Sequence, residues 1–345
     1  MIAIRKTEER PGVTFVDIPV PQPGDQEVLI RVRASAFCRS DLDVAEWTPL
    51  VASAHYKLPF TLGHEFSGEI VAMGKNVKGF AVGDRVAAET HIPCGCCQAC
   101  RTGNQHICGN HMGVLGRTVD GCFAEYICMD AGSVIKIADT LTWEEGALME
   151  PFATAMYAVM KAKPYGQPLV IAGVGTIGQM AVEIARHLGA SQIFAVDIND
   201  QKLSESIQRG ADYAVNGKNE DFSKLVLEKT GGVGAYSAID FTGNQKVINQ
   251  AVRSLRIAGT LVHVGMVEGS MEYQSFMYQV VYRELNITGI YGRKMFETWE
   301  MVDNLLKQNK IDMSSFIGKR MKLEEFEKAA DIFRDISGRI VFEMN

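Results

Sequence analysis

Cys94, Cys97, Cys100 and Cys108 are separated by two, two and seven residues, and with Cys96 they gather five of the chain's eight cysteines into fifteen positions. Thiolates on a tightly turning loop can each approach one Zn²⁺ to about 2.3 Å, and a closed four-sulfur shell leaves no position for substrate. Buried free thiols or a disulfide knot are the plainer readings. Disulfide frameworks belong to short secreted chains, and this chain has 345 residues and no export signal at its start. An iron–sulfur cluster takes four thiolates too, but it leaves the rest of the sequence unexplained. Structural zinc is the expectation, with Cys96 as a non-ligand.

A second donor set lies outside that loop. Cys38 sits in Phe-Cys-Arg-Ser-Asp, His64 and Glu65 in Thr61-Leu-Gly-His-Glu-Phe-Ser-Gly, and Glu150 in Met-Glu-Pro-Phe. A lone histidine is more often a core or surface residue than a ligand. Mixed sulfur, nitrogen and oxygen donors are nevertheless what a catalytic zinc uses, three from the protein with one position open. Their spacing in the chain does not by itself bring them together.

The third pattern is Gly173-Val-Gly175-Thr176-Ile177-Gly178. An apolar run precedes it at 168–172, a helix-like stretch follows, and a second apolar run ends in Asp197, 19 residues after Gly178. A lone set of spaced glycines is weak, but strand, glycines, helix, strand and terminal acid form a dinucleotide-binding fingerprint. Gly173 permits the tight turn, Gly175 lets backbone approach a pyrophosphate, and Gly178 lets helix pack on strand. The helix N-terminus offers free N–H groups to phosphate. Asp197 can accept from both ribose hydroxyls and would repel a 2′-phosphate, so NAD is expected rather than NADP. Lys202 joins this cofactor set.

The elements that must position these groups divide the chain in two. The first 35 residues read as strands, with alternation at 13–18 and 27–34 broken by the Pro/Gly segment at 19–24, and 61–86 continues as glycine-turned β structure, as in a small irregular barrel. From Pro168 the texture becomes α/β, with strands at 213–216, 236–241, 260–265 and 286–290 and helices at 222–230 and 245–255. That is a doubly wound parallel sheet, which binds ligands at its carboxyl ends; Gly265, Met266, Val267, Gly289, Ile290 and Tyr291 lie there. Helices at 297–307 and 323–333 and a strand at 339–343 return the tail to the first domain. The expected division is 1–155 with 294–345 against 156–293. A net charge of −6 offers no basic footprint for nucleic acid. No run of eighteen apolar residues suits a membrane span. Reduced-looking cysteines and a charged start point to the cytoplasm.

Taken together the motifs resemble the zinc-containing medium-chain alcohol dehydrogenases over nearly the full length. Gly63-His64-Glu65 with Gly68 and Gly74 matches that family's zinc signature, the four cysteines its structural-zinc lobe, and Gly173–Gly178 with Asp197 its NAD fingerprint. The resemblance implies a GroES-like irregular β-barrel catalytic domain plus a Rossmann domain, two Zn²⁺ per chain, NAD, and a homo-oligomer, a tetramer being favoured. It implies Cys38, His64, Glu65 and Glu150 as the catalytic metal set, Glu65 or Glu150 being the exchangeable member, and Ser40 as the hydroxyl that hands a proton outward.

Within the family, Gly289-Ile-Tyr-Gly-Arg-Lys-Met-Phe-Glu-Thr-Trp299, Glu46-Trp47 and Thr90-His91-Ile92 resemble the L-threonine 3-dehydrogenases. Glu150-Pro151 resembles the sorbitol-type members. Three departures lie close in sequence to the proposed ligands: Arg39 for the family's glycine, Asp43 for the histidine of threonine dehydrogenases, and Ala153-Thr154 for their Gly-Asn. They favour a polyol, cyclitol or sugar acid over L-threonine. Arg39, Asp43, His91, Thr154 and Arg293 are the candidates for touching substrate, although Arg39 in solvent, Asp43 as a helix cap and His91 as a structural residue are equally plain readings. A nucleotide sensor that kept the fold and lost the chemistry would be expected to lose ligands, and Cys38, His64 and Glu150 are all present.

Overall fold

The computed structural model describes residues 1–345 except His55, His111, Met112, Glu268 and Asn345. The chain forms two compact units, 1–151 with 294–299 and 312–345, and 152–293 with 300–311.

Among the described residues, the first unit holds a seven-stranded sheet in the order Val134–Lys136, Arg85–Ala88, Glu65–Met73, Glu27–Phe37, Arg339–Glu343, Ile317–Lys322, with Tyr126–Asp130 also paired to Glu27–Phe37. Register decides what meets at its end. Ala36 stands opposite Glu65 and Phe37 opposite Ile340, so Cys38, Glu65 and Arg339 emerge side by side from three neighbouring strands. Apolar burial anchors that end: Phe37 packs against Phe326 and Phe333 with ring centroids 5.0 Å apart in both cases, and Phe123 meets Phe342 edge-on at 5.4 Å. Such aromatic pairs contribute about 1 kcal/mol each beyond their buried area. The residue before the first candidate ligand is thus a fully buried core phenylalanine.

Immediately after Cys38 the chain turns into a helix, Arg39–Glu46, with Asp41 at its third position accepting from the Cys38 backbone N–H at 3.1 Å. An acidic side chain reaching back to the residue before the helix satisfies one of the donors a helix start leaves open.

The second unit is a six-stranded parallel sheet in the order Tyr213–Asn216, Gln192–Asp197, Pro168–Ala172, Ala235–Asp240, Leu255–His263, Asn286–Gly289. The strand order reverses beside Pro168–Ala172, the switch point where such sheets bind ligands. The near-continuous apolar runs of its inner strands match burial on both faces. Residues 143–162, to which the sequence reading assigns no element, form a single twenty-residue helix, Trp143–Ala162, that runs through Pro151. No described helix is long and apolar enough to cross a membrane.

Candidate active site

The four spaced cysteines converge. Their sulfurs lie 3.5 Å (Cys97 to Cys100), 3.8 Å (Cys97 to Cys108) and 4.0 Å (Cys94 to Cys100) apart. A tetrahedron with bonds of about 2.3 Å has edges of about 3.8 Å, so the cage fits zinc. The turn supplies further donors, the Cys97 and Cys94 N–H groups each pointing at a ligand sulfur from 3.4 Å. Backbone N–H groups of Cys96 and Cys97 hold the Cys94 thiol down at about 6. Burial and the neighbouring Cys97 and Cys108 sulfurs push Cys100 up to about 12. Four crowded sulfurs cannot all ionise on their own, and a dication reverses that balance. Cys96 is exposed, 3.7 Å from Cys94, and falls outside the converging group.

Cys38, His64 and Glu65 form the second cluster, with ligand atoms within 4.8 Å of one another. His64 presents its Nδ1 to Asp41 Oδ1 at 3.0 Å. A carboxylate can only accept, so Nδ1 carries a proton. Burial disfavours the charged ring, but Asp41 and Cys38 hold its pKa well above the usual imidazole range. Nε2 is the nitrogen a metal would take by displacing its proton. Arg339 donates to Glu65 Oε1 at 2.6 Å and approaches Cys38 Sγ at 3.8 Å. Burial favours the neutral thiol at Cys38, yet the charges of Arg339 and His64 outweigh it and bring the thiol from 9.0 to about 6. Cys38 as thiolate, His64 with Nε2 freed of its proton and Glu65 as carboxylate would make a donor set suited to zinc, a metal displacing the protons that neighbouring charges favour on His64 and burial favours on Glu65.

Glu150 is not among these three. Its Oε1 accepts from the Thr90 hydroxyl at 2.6 Å. Ser40 donates its hydroxyl to Cys38 Sγ at 3.4 Å. Arg39 and Asp43 pair with each other at 2.7 Å across one helical turn. Thr154 accepts from Arg293 at 3.2 Å. His91 is buried in a short strand, His91–Ile92, with its carbonyl taken by Ser133 at 3.5 Å.

In the second unit Gly173 has φ +87°, a conformation that side chains other than glycine's resist. A Cβ at Gly178 would lie 2.0 Å from the Gly173 carbonyl, so the Thr176–His187 helix can start there only with glycine. Gly175 has open space on its Cβ side and starts that helix with no side-chain cap, leaving its N–H groups available. Asp197 accepts from Val174 N at 2.9 Å and Ile198 N at 2.7 Å, which fixes its carboxylate beside the glycine turn. Lys202 lies in the first turn of the next helix, which Asn199 caps. Gly265 is held by its N–H on the Asp240 carbonyl at 2.9 Å, Ile290 by the His263 carbonyl at 3.0 Å, and Met266 and Tyr291 are exposed.

Two family models match the chain: an alcohol dehydrogenase GroES-like domain over residues 24–139 and a zinc-binding dehydrogenase domain over 176–308. The chain belongs to the zinc-binding alcohol dehydrogenase family. It is an oxidoreductase of a zinc-dependent family for which zinc and NAD are the typical cofactors. Proteins named L-threonine 3-dehydrogenase, from Legionella pneumophila and Proteus mirabilis, are 36% and 34% identical to it, and each alignment spans 99% of both chains. The crystal structure of galactitol-1-phosphate dehydrogenase from Escherichia coli superposes with a TM-score of 0.90 at 26% identity, covering 99% of this chain and 100% of that one. That of 2R,3R-butanediol dehydrogenase from Bacillus subtilis gives 0.89 at 29%, covering 100% and 99%.

Sequence reasoning missed three members of the site. Asp41 had a visible signal, an acid three residues after Cys38 at a helix start. Arg339 and Arg117 had none, since only tertiary pairing brings them to Glu65 and Asp41.

Proposed function

We propose that this dehydrogenase uses NAD to oxidise a secondary alcohol of a small polar substrate, a polyol, cyclitol or sugar acid. The observation that carries the reading is the convergence of Cys38, His64 and Glu65 with Asp41 and Arg339 behind them. In this reading the first unit is the catalytic domain and the second the NAD-binding domain, and the working enzyme is a homo-oligomer. Cys94, Cys97, Cys100 and Cys108 hold the structural zinc.

Cys38 and His64 hold the catalytic metal, with Glu65 or Glu150 completing the set. When bound, zinc supplies Lewis acidity toward a substrate hydroxyl, and NAD supplies the hydride acceptor. Arg339 holds Glu65 by one carboxylate oxygen and keeps a positive charge near the Cys38 thiolate. Ser40, half-buried two residues past Cys38, can accept a hydrogen bond from a substrate hydroxyl through its oxygen, and it passes a proton outward only by turning its own hydrogen from Sγ to an outer acceptor. Gly173 to Gly178, Gly265 to Val267 and Gly289 to Tyr291 form the cofactor cradle, with Asp197 and Lys202 at the ribose.

Asp197 sets the cofactor. NAD is expected to be preferred to NADP by at least about tenfold in kcat/KM, equivalent to roughly 1.4 kcal/mol. Asp197→Ala should narrow the ratio, because it removes both the ribose acceptor and the repulsion of a 2′-phosphate. Equal use of the two cofactors by the unaltered enzyme would contradict the assignment. The ratio is insensitive to any loss of folded protein, which the backbone hydrogen bonds of Asp197 make a real side effect.

L-Threonine 3-dehydrogenase is the second reading, favoured by the full-length similarity to proteins of that name. Against it stands Asp43, which is committed to Arg39 where threonine dehydrogenases usually have histidine. A site that hydrogen-bonds particular polar groups loses several powers of ten when those partners change. An NAD-reduction screen over L-threonine, polyols, cyclitols and aldonates decides between them. A polyhydroxylated secondary alcohol is expected to give the highest kcat/KM; a higher value for L-threonine than for every other compound restores the second reading.

A further inference from the structure

We infer that Arg117 is a positioning residue for the Cys38–His64 metal site, acting through Asp41. The inference rests on the reading that these two residues hold zinc. Asp41 is fully buried and receives three donors from three separate segments of the chain: Cys38 N at 3.1 Å, His64 Nδ1 at 3.0 Å and Arg117 Nη1 at 3.5 Å. Two of those donors belong to candidate ligands, so one carboxylate sets both the approach of the Cys38 backbone and the plane of the His64 ring. The torsion that turns a carboxylate is soft and roughly two-fold. Arg117 adds the third point that fixes it.

The guanidinium is itself placed firmly. Its side chain is 10% exposed, and among the described residues Asp41 is the one carboxylate within ion-pair distance. Nη1 also donates to the Gly116 carbonyl at 2.6 Å, and Thr118 Oγ1 closes the turn by accepting from Val114 N at 2.8 Å. This turn lies against the loop that delivers His64. A Cβ on Gly116, whose φ is +68°, would come 2.8 Å from the Gly63 carbonyl, and Cys122 N donates to that carbonyl at 3.0 Å. The segment from Gly116 to Cys122 therefore braces the residue before His64 by backbone, and Asp41 by the Arg117 side chain. Arg339 does the equivalent for Glu65 from the last strand.

Groups that orient a metal ligand typically change metal affinity by about 10- to 100-fold when removed. Chelator titration of the two-zinc protein tests this, with the four-cysteine zinc as an internal control that should not move. Arg117→Met is expected to weaken the Cys38–His64 zinc by about tenfold or more, and Arg117→Lys to stay within about threefold of the unaltered protein. In an Asp41→Asn background Arg117→Met should add less than about twofold, since its route to His64 is already cut. An affinity unchanged by Arg117→Met overturns the inference, as does a penalty of undiminished size in the Asp41→Asn background. If Arg117→Met does not fold, Arg117→Gln takes its place, and unchanged affinity in that variant overturns the inference equally. An unaltered protein that binds a single zinc, lost on Cys100→Ser, would instead bring down the metal-site reading itself.

Discussion

Cys38→Ser is expected to lower kcat/KM by three orders of magnitude or more while the protein remains folded with one zinc per chain. Serine is a weak, neutral donor at this position, and the remaining His64 and Glu65 supply no soft ligand. A Lewis acid stabilises developing charge by several kcal/mol, and a loss of about 4 kcal/mol corresponds to a factor of about 10³ in rate. The surroundings deepen the loss. Arg339 lies 3.8 Å from Cys38 Sγ and 2.6 Å from Glu65, so removing the thiolate leaves Glu65 as its anionic partner and holds that carboxylate away from a metal. Phe37, fully buried beside the mutated position, keeps the strand end in place, which is why stability should change little. Zinc content, thermal melting and steady-state kinetics on the best substrate of the screen measure the three parts. A variant that keeps two zincs and activity within tenfold of the unaltered enzyme would remove Cys38 from the site.

How far the chain could be read in advance depended on the range of each interaction. The four-cysteine lobe was legible because its ligands fall within fifteen positions and local spacing carries the geometry. The parallel sheet was legible because apolar runs, glycine turns and the acid at 197 recur in a fixed order. The Trp143–Ala162 helix was not, because its residues are largely apolar around the whole circumference and Pro151 reads as a boundary. The helix from Arg39 to Glu46 is short and lies between strands, so its polar face was taken residue by residue. Arg39 and Asp43 were consequently weighed as two separate substrate groups, although their spacing of four is that of an intrahelical ion pair, and they pair at 2.7 Å. Arg339 and Glu65 are 274 positions apart, and only the register of three strands joins them.

The four-cysteine lobe should respond to substitution in the opposite way to Cys38. Cys100 is the most constrained of its thiols, buried, 3.5 Å from Cys97 and 4.0 Å from Cys94. Cys100→Ser opens the sulfur shell on its inner side, and three thiolates crowded together without a cation cannot remain ionised. The loop from Cys94 to Cys108 is built from two short helical turns, Gln98–Arg101 and Gln105–Ile107, with Asn104 bonded to Lys294 at 3.1 Å. Structural zinc sites contribute folding energy directly. The expected result is loss of one zinc per chain and a melting temperature lower by on the order of 10 °C, as follows from a destabilisation of several kcal/mol in a protein of this size. Activity per folded molecule should fall far less than with Cys38→Ser, since none of the four sulfurs belongs to the Cys38 cluster. The pair of variants therefore separates the two sites by independent readouts: turnover collapses in one, thermal stability in the other. An inactive but thermally unchanged Cys100→Ser protein, beside an active but unstable Cys38→Ser protein, would require the two assignments to be exchanged.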